Sequence, residues 1–518
     1  MKILMVAAEN DAIKGAKVGG VADVVRDIPV ALSHLDHNVN VIIPDYGNYT
    51  KVYEFRTIAS FYVPFSGHHE EVKLHEIFTD KNEVKVRQYI LSHPLFSSGG
   101  IGRVYLDDPN DRPFSSDATK YALFCAAVVQ ALYEQHLPKP DVLHLHDWHS
   151  ALIAVLCEYG ARYKSLKEIH MVYTVHNLAL QGIRPFSHDE SSLEHWFGSL
   201  SYDGQIICDP RYPHCFNPMR AAINLVDKVH LVSPTYALEV IEKSNYDKGF
   251  FGGEGLEADL TKASEEGKVC GILNGCDYQQ VPKNATTHEM LLKKAKRSIT
   301  NWMSATAQLK TVHYLASERI NEWLIKDDFN GPLITSIGRL TDQKVLLLRQ
   351  NIGHEDTLSK ILNFLETRDG RMIILGSGDS LIEIELMQLM VKHDNFLFLN
   401  GYGHELSDDL YQMGNLFLMP SSFEPCGISQ MLALRAGQPC LVHSVGGLKD
   451  TIKHLENGFC FDGNSIKQQQ ENLISVFKLS LDIYCSKQKR WINIVNNAKE
   501  ARFNWHDSAN AYVKYLYQ

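Results

Sequence analysis

The sequence lacks the features that place a chain in a membrane or on nucleic acid. No segment reaches the ~18 consecutive apolar residues of a membrane span. The first ten residues, MKILMVAAEN, lack the pattern of a signal peptide. No long basic block occurs, and 51 Lys plus Arg against 61 Asp plus Glu give a net charge of -10. We therefore expect a cytoplasmic protein with no nucleic-acid partner and no membrane partner.

The cysteines also lack the spacing of a structural scaffold. The ten cysteines contain no C-x-x-C pair, and several lie in apolar runs. This pattern is typical of reduced thiols rather than a disulfide framework or a zinc ribbon. The 518 residues, 45% hydrophobic and 22% charged, are typical of a globular chain. At roughly 100 to 200 residues per domain, the length predicts two or three domains.

Two series of short apolar runs predict two parallel sheets. Each run is nearly continuous, as a strand buried on both faces requires, and helical patterns separate the runs. The first series comprises residues 2–8, 39–44, 141–145, 170–175 and 228–232. The second comprises 332–337, 371–375, 395–399, 416–419 and 439–442. Long polar helical stretches occupy the chain between the two series.

This alternation predicts the α/β class, with two doubly wound Rossmann-like domains. We expect an amino-terminal Rossmann-like domain at 1–276, a helical junction at 277–330 and a second Rossmann-like domain at 331–489. Helices at 490–518 are expected to pack back across the junction. Because ligands bind outside the carboxyl ends of parallel strands, two facing domains predict an interdomain cleft.

The first candidate site is the glycine loop KVGGVAD at 17–23, which follows the first predicted strand. Gly19 and Gly20 let backbone amides approach a ligand closely, and Lys17 adds a mobile positive charge near the start of a helix. Together they suit a diphosphate. The loop matches neither G-x-G-x-x-G nor a P-loop, and an ordinary turn is the alternative.

The second candidate is HLHDWH at 144–149, at a strand end. Asp147 followed by Trp148 suits a sugar, because a carboxylate accepts hydroxyl protons and an indole ring covers the apolar face of a pyranose. Strand alternation puts His144 and His146 on one face. For these two histidines, a metal site and satisfied core histidines are the alternatives.

The third candidate is His176 in TVHNLA at 174–179, directly after the next apolar run. A histidine at a strand end is placed to donate to a hydroxyl or to a developing charge in a cleft. A structural cap of the strand end is the alternative.

Two further candidates follow strands of the second series. Arg339 and Lys344, five residues apart, are placed to bracket a diphosphate and to stabilise its growing charge, with solvated surface charge as the alternative. Glu424 lies between two prolines, just before Gly427 and a helical pattern, which suits a site that holds sugar hydroxyls and phosphate together. No histidine and acid partner is evident for Cys426 as a nucleophile.

In their order along the whole chain, these motifs resemble the bacterial glycogen synthase and plant starch synthase family. That family consists of retaining glucosyltransferases of the GT-B fold, in glycosyltransferase family 5. The matching motifs are the loop at 17–23, HDWH at 146–149, VHN at 175–177, SPTYA at 233–237, ILNG at 272–275, Arg339 with Lys344, and FEPCG at 423–427. The resemblance implies transfer of glucose from ADP-glucose to the non-reducing end of an α-1,4-glucan.

The resemblance also implies residue roles. Lys17, Arg339 and Lys344 would hold the donor phosphates, without a metal or another cofactor. The implied catalytic residues are Glu424, His176, Asp147, Arg339 and Lys344. The implied substrate-binding residues are Lys17, Gly19, Gly20, Asn177, Asn274, Cys426, Gly427, Gly446 and Gly447. The implied partners are a nucleotide sugar and a glycogen-type acceptor.

Several positions depart from the family pattern, among them Val21, Ser422, Val345 and the stretch HSV at 443–445. Two alternatives therefore stay open: a catalytically impaired homologue that binds glucan or regulates, and a GT-B enzyme that uses UDP-glucose. The residue eight positions after Glu424 is leucine. The second glutamate of other retaining GT-B families is thus missing, which favours the glycogen synthase branch.

Overall fold

The structure is a computed structural model that describes residues 1–47, 49–79, 86–106, 108–109, 112–198, 200–278, 286–306, 309–326 and 330–518. These residues form two compact units, each containing one large sheet. The first unit comprises Met1–Ser244, Gly252–Gly275 and Asn504–Gln518. The second comprises Asn245–Phe251 and Cys276–Phe503. Both units alternate parallel strands with helices, so the predicted α/β class is confirmed.

The first unit holds eleven strands within the described ranges. They are β1 (Lys2–Val6), β2 (Asn38–Pro44), β3 (Glu54–Phe65), β4 (His68–Phe78), β5 (Val86–Ser92), β6 (Val142–His146), β7 (His170–Val175), β8 (Arg184–Pro185), β9 (Cys215–Phe216), β10 (Lys228–Leu231) and β11 (Val269–Gly271). Its helices before residue 275 are α1 (Gly20–Ser33), α2 (Tyr49–Val52), α3 (Ser115–Tyr133), α4 (Trp148–Tyr159), α5 (Leu193–Phe197), α6 (Gly204–Ile207), α7 (Pro218–Leu225), α8 (Pro234–Glu239) and α9 (Glu257–Glu265).

The large sheet of the first unit has the order β11-β10-β7-β6-β1-β2-β5-β4-β3. The strands are parallel except at one edge, where β4 runs antiparallel to β3 and β5. Strand β6 lies between β1 and β7, and all five of its residues are buried. Because these three strands are parallel neighbours, the loops that follow them emerge at the same edge of the sheet.

The second unit contains eight strands and ten helices in its described part. The strands are β12 (Leu333–Ile337), β13 (Asn351–Ile352), β14 (Glu355–Asp356), β15 (Arg371–Gly376), β16 (Phe396–Asn400), β17 (Leu416–Met419), β18 (Cys440–His443) and β19 (Gly458–Phe461). The helices are α10 (His288–Ser304), α11 (Thr311–Lys326), α12 (Asp342–Arg349), α13 (Thr357–Glu366), α14 (Ser380–Lys392), α15 (His404–Met413), α16 (Ser429–Ala436), α17 (Gly446–Thr451), α18 (Ile466–Ser486) and α19 (Gln488–Glu500).

The second sheet is entirely parallel, with the order β16-β15-β12-β17-β18-β19. Strands β12 and β17 are neighbours, so the loops after residues 337 and 419 lie side by side. None of the helices in the described ranges combines the length and the apolar character that a bilayer crossing needs.

The stretch 277–330, interpreted from sequence as a helical junction, supplies α10 and α11 to the second unit. Their apolar faces join its core through residues such as Leu291, Ile320 and Trp323, each at most 2% exposed. Residues 279–285, 307–308 and 327–329 of that stretch lie outside the described residues.

After Phe503 the chain returns to the first unit as helix α20 (Trp505–Tyr515). The Trp505 indole Nε1 donates to Asp27 Oδ2 at 3.0 Å, and Ser508 Oγ donates to the Leu273 carbonyl at 2.7 Å. A Cβ at Gly275 would lie 2.6 Å from the indole, so only glycine fits there. The ILNG motif at 272–275 is therefore a packing surface for α20.

This packing predicts that Trp505→Ala lowers the free energy of unfolding of the first unit by about 3 to 5 kcal/mol, because a buried indole leaves a large cavity. The matched control is Tyr515→Ala on the same helix, where 48% exposure predicts a change within about 0.5 kcal/mol. Urea unfolding followed by circular dichroism checks both variants. Equal losses from the two substitutions would contradict the packing role of α20.

Candidate active site

Lys17 lies in an ion-pair network at the start of α1. Its Nζ lies 2.6 Å from Asp23 Oδ1 and 3.2 Å from Asp11 Oδ2. Arg26 contacts the same Asp11 carboxylate and lies 3.1 Å from Asp23. Burial raises the pKa of Asp23, and the nearby Lys17 opposes that rise. The positive charge of Lys17 is thus partly offset by carboxylates of the chain itself.

The glycine loop also faces a carboxylate of the chain. The backbone amides of Val18 and Gly19 both donate to Glu9 Oε2 at 2.6 Å, and the Tyr105 hydroxyl donates to Glu9 Oε1 at 2.6 Å. Glu9 is only 2% exposed, and Gly20 begins α1 directly after this contact. The loop therefore binds an anionic group, which is the side chain of Glu9. The only signal for Glu9 in the sequence is its position directly after the first apolar run.

Asp147 forms the turn between β6 and α4. Its φ of 53° is unusual for a residue other than glycine, and such strain is often found at functional sites. Its Oδ1 accepts a hydrogen bond from the His176 backbone amide at 2.8 Å. Burial raises the pKa of Asp147 to about 7, although hydrogen bonds from the His176 and Asn177 backbones favour the ionised form. Asp147 thus connects the ends of β6 and β7.

His176 is almost fully buried and contacts a second histidine. Its Nε2 lies 3.0 Å from His146 Nδ1, and the two rings stack with centroids 5.3 Å apart. Burial lowers the pKa of both imidazoles well below the usual value, so both are neutral near pH 7. The next residue, Asn177, accepts a hydrogen bond from the Ala179 amide at 2.9 Å through its side-chain oxygen.

His144 is a core histidine with both ring nitrogens hydrogen-bonded. Its Nδ1 lies 2.7 Å from the Tyr517 hydroxyl, and its Nε2 lies 2.6 Å from Thr174 Oγ1. In the part of the chain that is described, no group of three or more His, Cys, Asp or Glu side chains is arranged to hold a metal ion.

Trp148 differs from the expectation of a sugar-stacking ring. It is 7% exposed, with Tyr121 packed edge-on at 5.5 Å between centroids. A Cβ at Gly182 would lie 2.4 Å from the indole, so the backbone of that residue covers the ring. Because Tyr121 and the Gly182 backbone cover its ring, Trp148 packs in the core instead of offering a face to a pyranose. Near β11, Asn274 is 5% exposed, and its Oδ1 has no partner among the described residues.

Lys344 and Glu424 form an ion pair in the second unit. Lys344 Nζ contacts Glu424 Oε2, and Ser421 Oγ donates to the same oxygen at 3.1 Å. The side chains of Lys344 and Glu424 are 22% and 8% exposed. Solvent therefore reaches the lysine side of the pair, whereas the carboxylate is buried.

Backbone contacts fix the two loops that carry this pair. Gln343 Nε2 donates to the Phe423 carbonyl at 3.0 Å, and the Ser422 amide donates to the Gln343 carbonyl at 2.8 Å. The loop after β12 is thereby joined to the loop after β17. Arg339, in the same β12 loop, is exposed and makes no ion pair with any residue in the described ranges.

Glycines at 427, 446 and 447 allow two backbone segments of the second unit to approach each other closely. A Cβ at Gly446 would lie 1.9 Å from the Glu424 carbonyl, and one at Gly447 would lie 2.2 Å from the Cys426 carbonyl. The Gly447 amide donates to the Glu424 carbonyl at 3.1 Å. Gly427 has a φ of +78°, the left-handed region that favours glycine. These glycines hold the FEPCG turn against the start of α17.

Of the positions that depart from the family pattern, Ser422, Val345 and His443 are buried in the second unit. His443 Nδ1 donates to the Ser421 carbonyl at 3.0 Å, and its ring stacks on Phe461 at 5.0 Å between centroids. Burial lowers the pKa of His443. Ser422 is 3% exposed and Val345 is 6% exposed. His443 thus contacts the segment directly before the FEPCG turn.

An exposed aromatic side chain follows β16 at the same sheet edge. Tyr402 is 55% exposed, and its carbonyl accepts a hydrogen bond from Trp302 Nε1 at 2.9 Å. A Cβ at Gly401 would lie 2.5 Å from the Trp302 indole. In the sequence, the only signal for this residue is GYG directly after an apolar run.

Comparisons with known proteins agree with this architecture over nearly the whole chain. The starch synthase catalytic domain family matches residues 2–262, and glycosyl transferases group 1 matches residues 330–498. The chain is 31% identical to a glycogen synthase of Streptococcus equi subsp. zooepidemicus, over 99% of this chain and 98% of that protein.

Solved structures give the same result. The catalytic domain of starch synthase IV from Arabidopsis thaliana, bound to ADP and acarbose, is 26% identical with a TM-score of 0.76, covering 100% of this chain and 98% of that one. Sucrose-phosphate synthase from Thermosynechococcus elongatus, at 14% identity and a TM-score of 0.55 over 99% and 97% of the two chains, shares the GT-B fold. The chain therefore belongs to the glycogen synthase and starch synthase family of glycosyltransferases.

Proposed function

We propose that the chain is a glycogen synthase that transfers glucose from ADP-glucose to the non-reducing end of an α-1,4-glucan, with retention of configuration. The proposal rests on the Lys344–Glu424 pair at the carboxyl edge of the second sheet, in a chain that matches glycogen synthases over its full length. The ADP in the Arabidopsis starch synthase structure supports a nucleoside diphosphate donor.

Lys344 and Arg339 are proposed to hold the diphosphate of the donor. As the bond between glucose and phosphate breaks, negative charge grows on the leaving diphosphate, and nearby cations stabilise it. Each charge-assisted contact contributes roughly 1.5 to 3 kcal/mol. Arg339 has no intramolecular partner to give up among the described residues, whereas Lys344 must exchange Glu424 for phosphate. Because protein cations supply this charge, the proposed reaction needs no metal and no other cofactor.

The exchange has a consequence for Glu424. Once Lys344 turns to phosphate, the Glu424 carboxylate keeps its hydrogen bond from Ser421 and gains a free oxygen lone pair. A sugar hydroxyl is the natural donor to that lone pair. Glu424 is therefore proposed to bind the glucose that is attached to the diphosphate.

Asp147 and His176 are also proposed to recognise glucose. The Asp147 carboxylate accepts hydrogen bonds from hydroxyls, and the His176 imidazole donates one. We expect front-face transfer through an oxocarbenium-like state rather than double displacement, because no flanking carboxylate pair is evident from the motifs. The exposed ring of Tyr402 offers a stacking surface for the nucleotide base.

The function is tested by incubating the protein with glycogen and ADP-[14C]glucose, and separately with UDP-[14C]glucose. We expect label in the polymer from ADP-glucose, in α-1,4 linkages that β-amylase releases. Label from UDP-glucose alone would overturn the donor assignment. Calorimetric binding of glycogen, with no transfer from either donor, would instead identify a glucan-binding homologue without activity.

Lys344→Ala is expected to lower kcat/KM for ADP-glucose roughly 10- to 100-fold, because one charge-assisted contact to the leaving diphosphate is lost. Initial rates at several donor concentrations measure this effect. The control is Lys467→Ala, whose side chain is 78% exposed on α18 and should leave the rate unchanged. A Lys344→Ala enzyme with normal kcat/KM and a normal melting temperature would remove Lys344 from the donor site.

The raised pKa of Asp147 predicts a pH dependence. Since kcat/KM reports the free enzyme, it should rise as pH increases through about 7, where the accepting carboxylate forms. Asp147→Asn should be slower and should lack this rise, because its side chain does not titrate. Rates from pH 5.5 to 9 compare the two proteins, and identical profiles would contradict the assignment.

The same pKa predicts the sign of a stability effect. The folded pKa of about 7 lies above the ordinary value of 3.8, so protonated Asp147 stabilises the fold at low pH. That stabilisation is lost as pH rises from about 4 to about 7. Relative to Asp147→Asn, the wild-type chain should therefore lose free energy of unfolding over this interval. Urea titrations at several pH values measure the difference in free energy of unfolding between the wild-type chain and Asp147→Asn. A wild-type advantage that grew with pH would contradict the raised pKa of Asp147.

A further inference from the structure

A second histidine lies behind His176, on the neighbouring strand. His146 ends β6, is 1% exposed and contacts His176 Nε2 through its Nδ1 at 3.0 Å. Its backbone amide donates to Ser150 Oγ at 2.7 Å, and that hydroxyl donates back to the His146 carbonyl at 2.9 Å. His146 is therefore fixed both by its backbone and by its ring.

The other ring nitrogen of His146 decides how protons are arranged in the pair. His146 Nε2 is buried and has no hydrogen-bond partner among the described residues. If His176 donated to His146 Nδ1, the proton of His146 would have to be on Nε2, stranding a buried N–H. Orphaned buried N–H groups are rare because their desolvation is not compensated. With the proton on Nδ1, only a lone pair is left unfilled at Nε2.

The neighbouring His144 keeps the His146 ring in place without touching His176. The two rings stack at 4.6 Å between centroids, with an interplanar angle of 12°. His144 is itself held between the Tyr517 hydroxyl and Thr174 Oγ1, and Thr174 Oγ1 lies 3.0 Å from His230 Nδ1. The carboxyl-terminal segment thereby fixes the ring on which His146 stacks.

We propose that His146 is a positioning residue that donates its Nδ1–H to His176 Nε2, and so keeps the His176 proton on Nδ1, where it donates to the sugar. His176 Nδ1 makes no hydrogen bond with any described residue, which leaves it for a ligand. In the opposite arrangement, His176 would present a lone pair instead of a proton. The proton arrangement is a property of the chain alone, whereas its use on a sugar rests on the proposed function.

The direct test is 15N nuclear magnetic resonance of the wild-type chain with labelled histidine at pH 7.5. Protonated and bare ring nitrogens of a neutral histidine resonate far apart, so each tautomer is read directly. Spectra of His176→Asn and His146→Asn assign the two residues among the 24 histidines. We expect protonated Nδ1 on both. Protonated Nε2 on His176 would overturn the proposal, whether or not the enzyme is active.

Variants test the consequence for catalysis. His146→Leu removes the donor and should lower kcat about 10- to 100-fold, the equivalent of one lost buried hydrogen bond. His146→Asn places an amide N–H near the position of Nδ1 and should recover most of that loss. Equal losses in the Leu and Asn variants would contradict the donor role.

His144→Asn is the matched control, because it removes the ring next to His146 while leaving the His146–His176 contact intact. It should lower the melting temperature without the loss of kcat seen in His146→Leu. Loss of kcat in His144→Asn equal to that in His146→Leu, at equal melting temperatures, would mean that His146 acts only through stability. A wild-type chain with the expected tautomers but no glucose transfer would contradict the proposed function and not the tautomer assignment.

Discussion

The ion pair between Lys344 and Glu424 is the interaction on which the proposed chemistry depends. It joins a cation after β12 to a carboxylate after β17, two neighbouring strands of one parallel sheet. A phosphate group that binds Lys344 frees Glu424 to accept a hydrogen bond from a sugar hydroxyl. One exchange therefore prepares the contacts to both the phosphate and the sugar of the donor. The pair can play this part only because hydrogen bonds from Gln343 and Ser422 hold the two loops together.

The same arrangement recurs in the first unit. Lys17 is held by Asp11 and Asp23, and the amides at the start of α1 are occupied by Glu9. Charged and polar groups that would meet a ligand are thus held by internal partners, which limits the cost of keeping them in a buried site. Arg339 is the exception among the predicted phosphate-binding cations, since it is exposed and unpaired within the described ranges.

The sequence predicted those parts of the fold that short apolar runs encode. Strands buried on both faces, such as β1, β6 and β12, follow from continuous apolar sequence and were predicted near their observed ranges. Strands β3 and β4, at the antiparallel edge, have one largely exposed face and were not predicted, although β3 ends in the apolar run FYVPF at 61–65.

Only those parts of the site that lie in sequence motifs could be predicted. HDWH, VHN and FEPCG located residues at strand ends, but no local pattern shows that Trp148 is covered by Gly182, or that Glu9 holds the glycine loop. The contact between His144 and Tyr517 joins residues 373 positions apart. Such contacts depend on the tertiary fold, and single motifs do not show which distant residues meet.

The central claim is that side chains of this protein, and not a metal ion, neutralise the diphosphate. Titration calorimetry of ADP into the full chain in EDTA tests it most directly. The account predicts that ADP binds in EDTA, that added Mg²⁺ does not strengthen binding, and that affinity falls as salt rises. Binding that appears only after Mg²⁺ is added would contradict it.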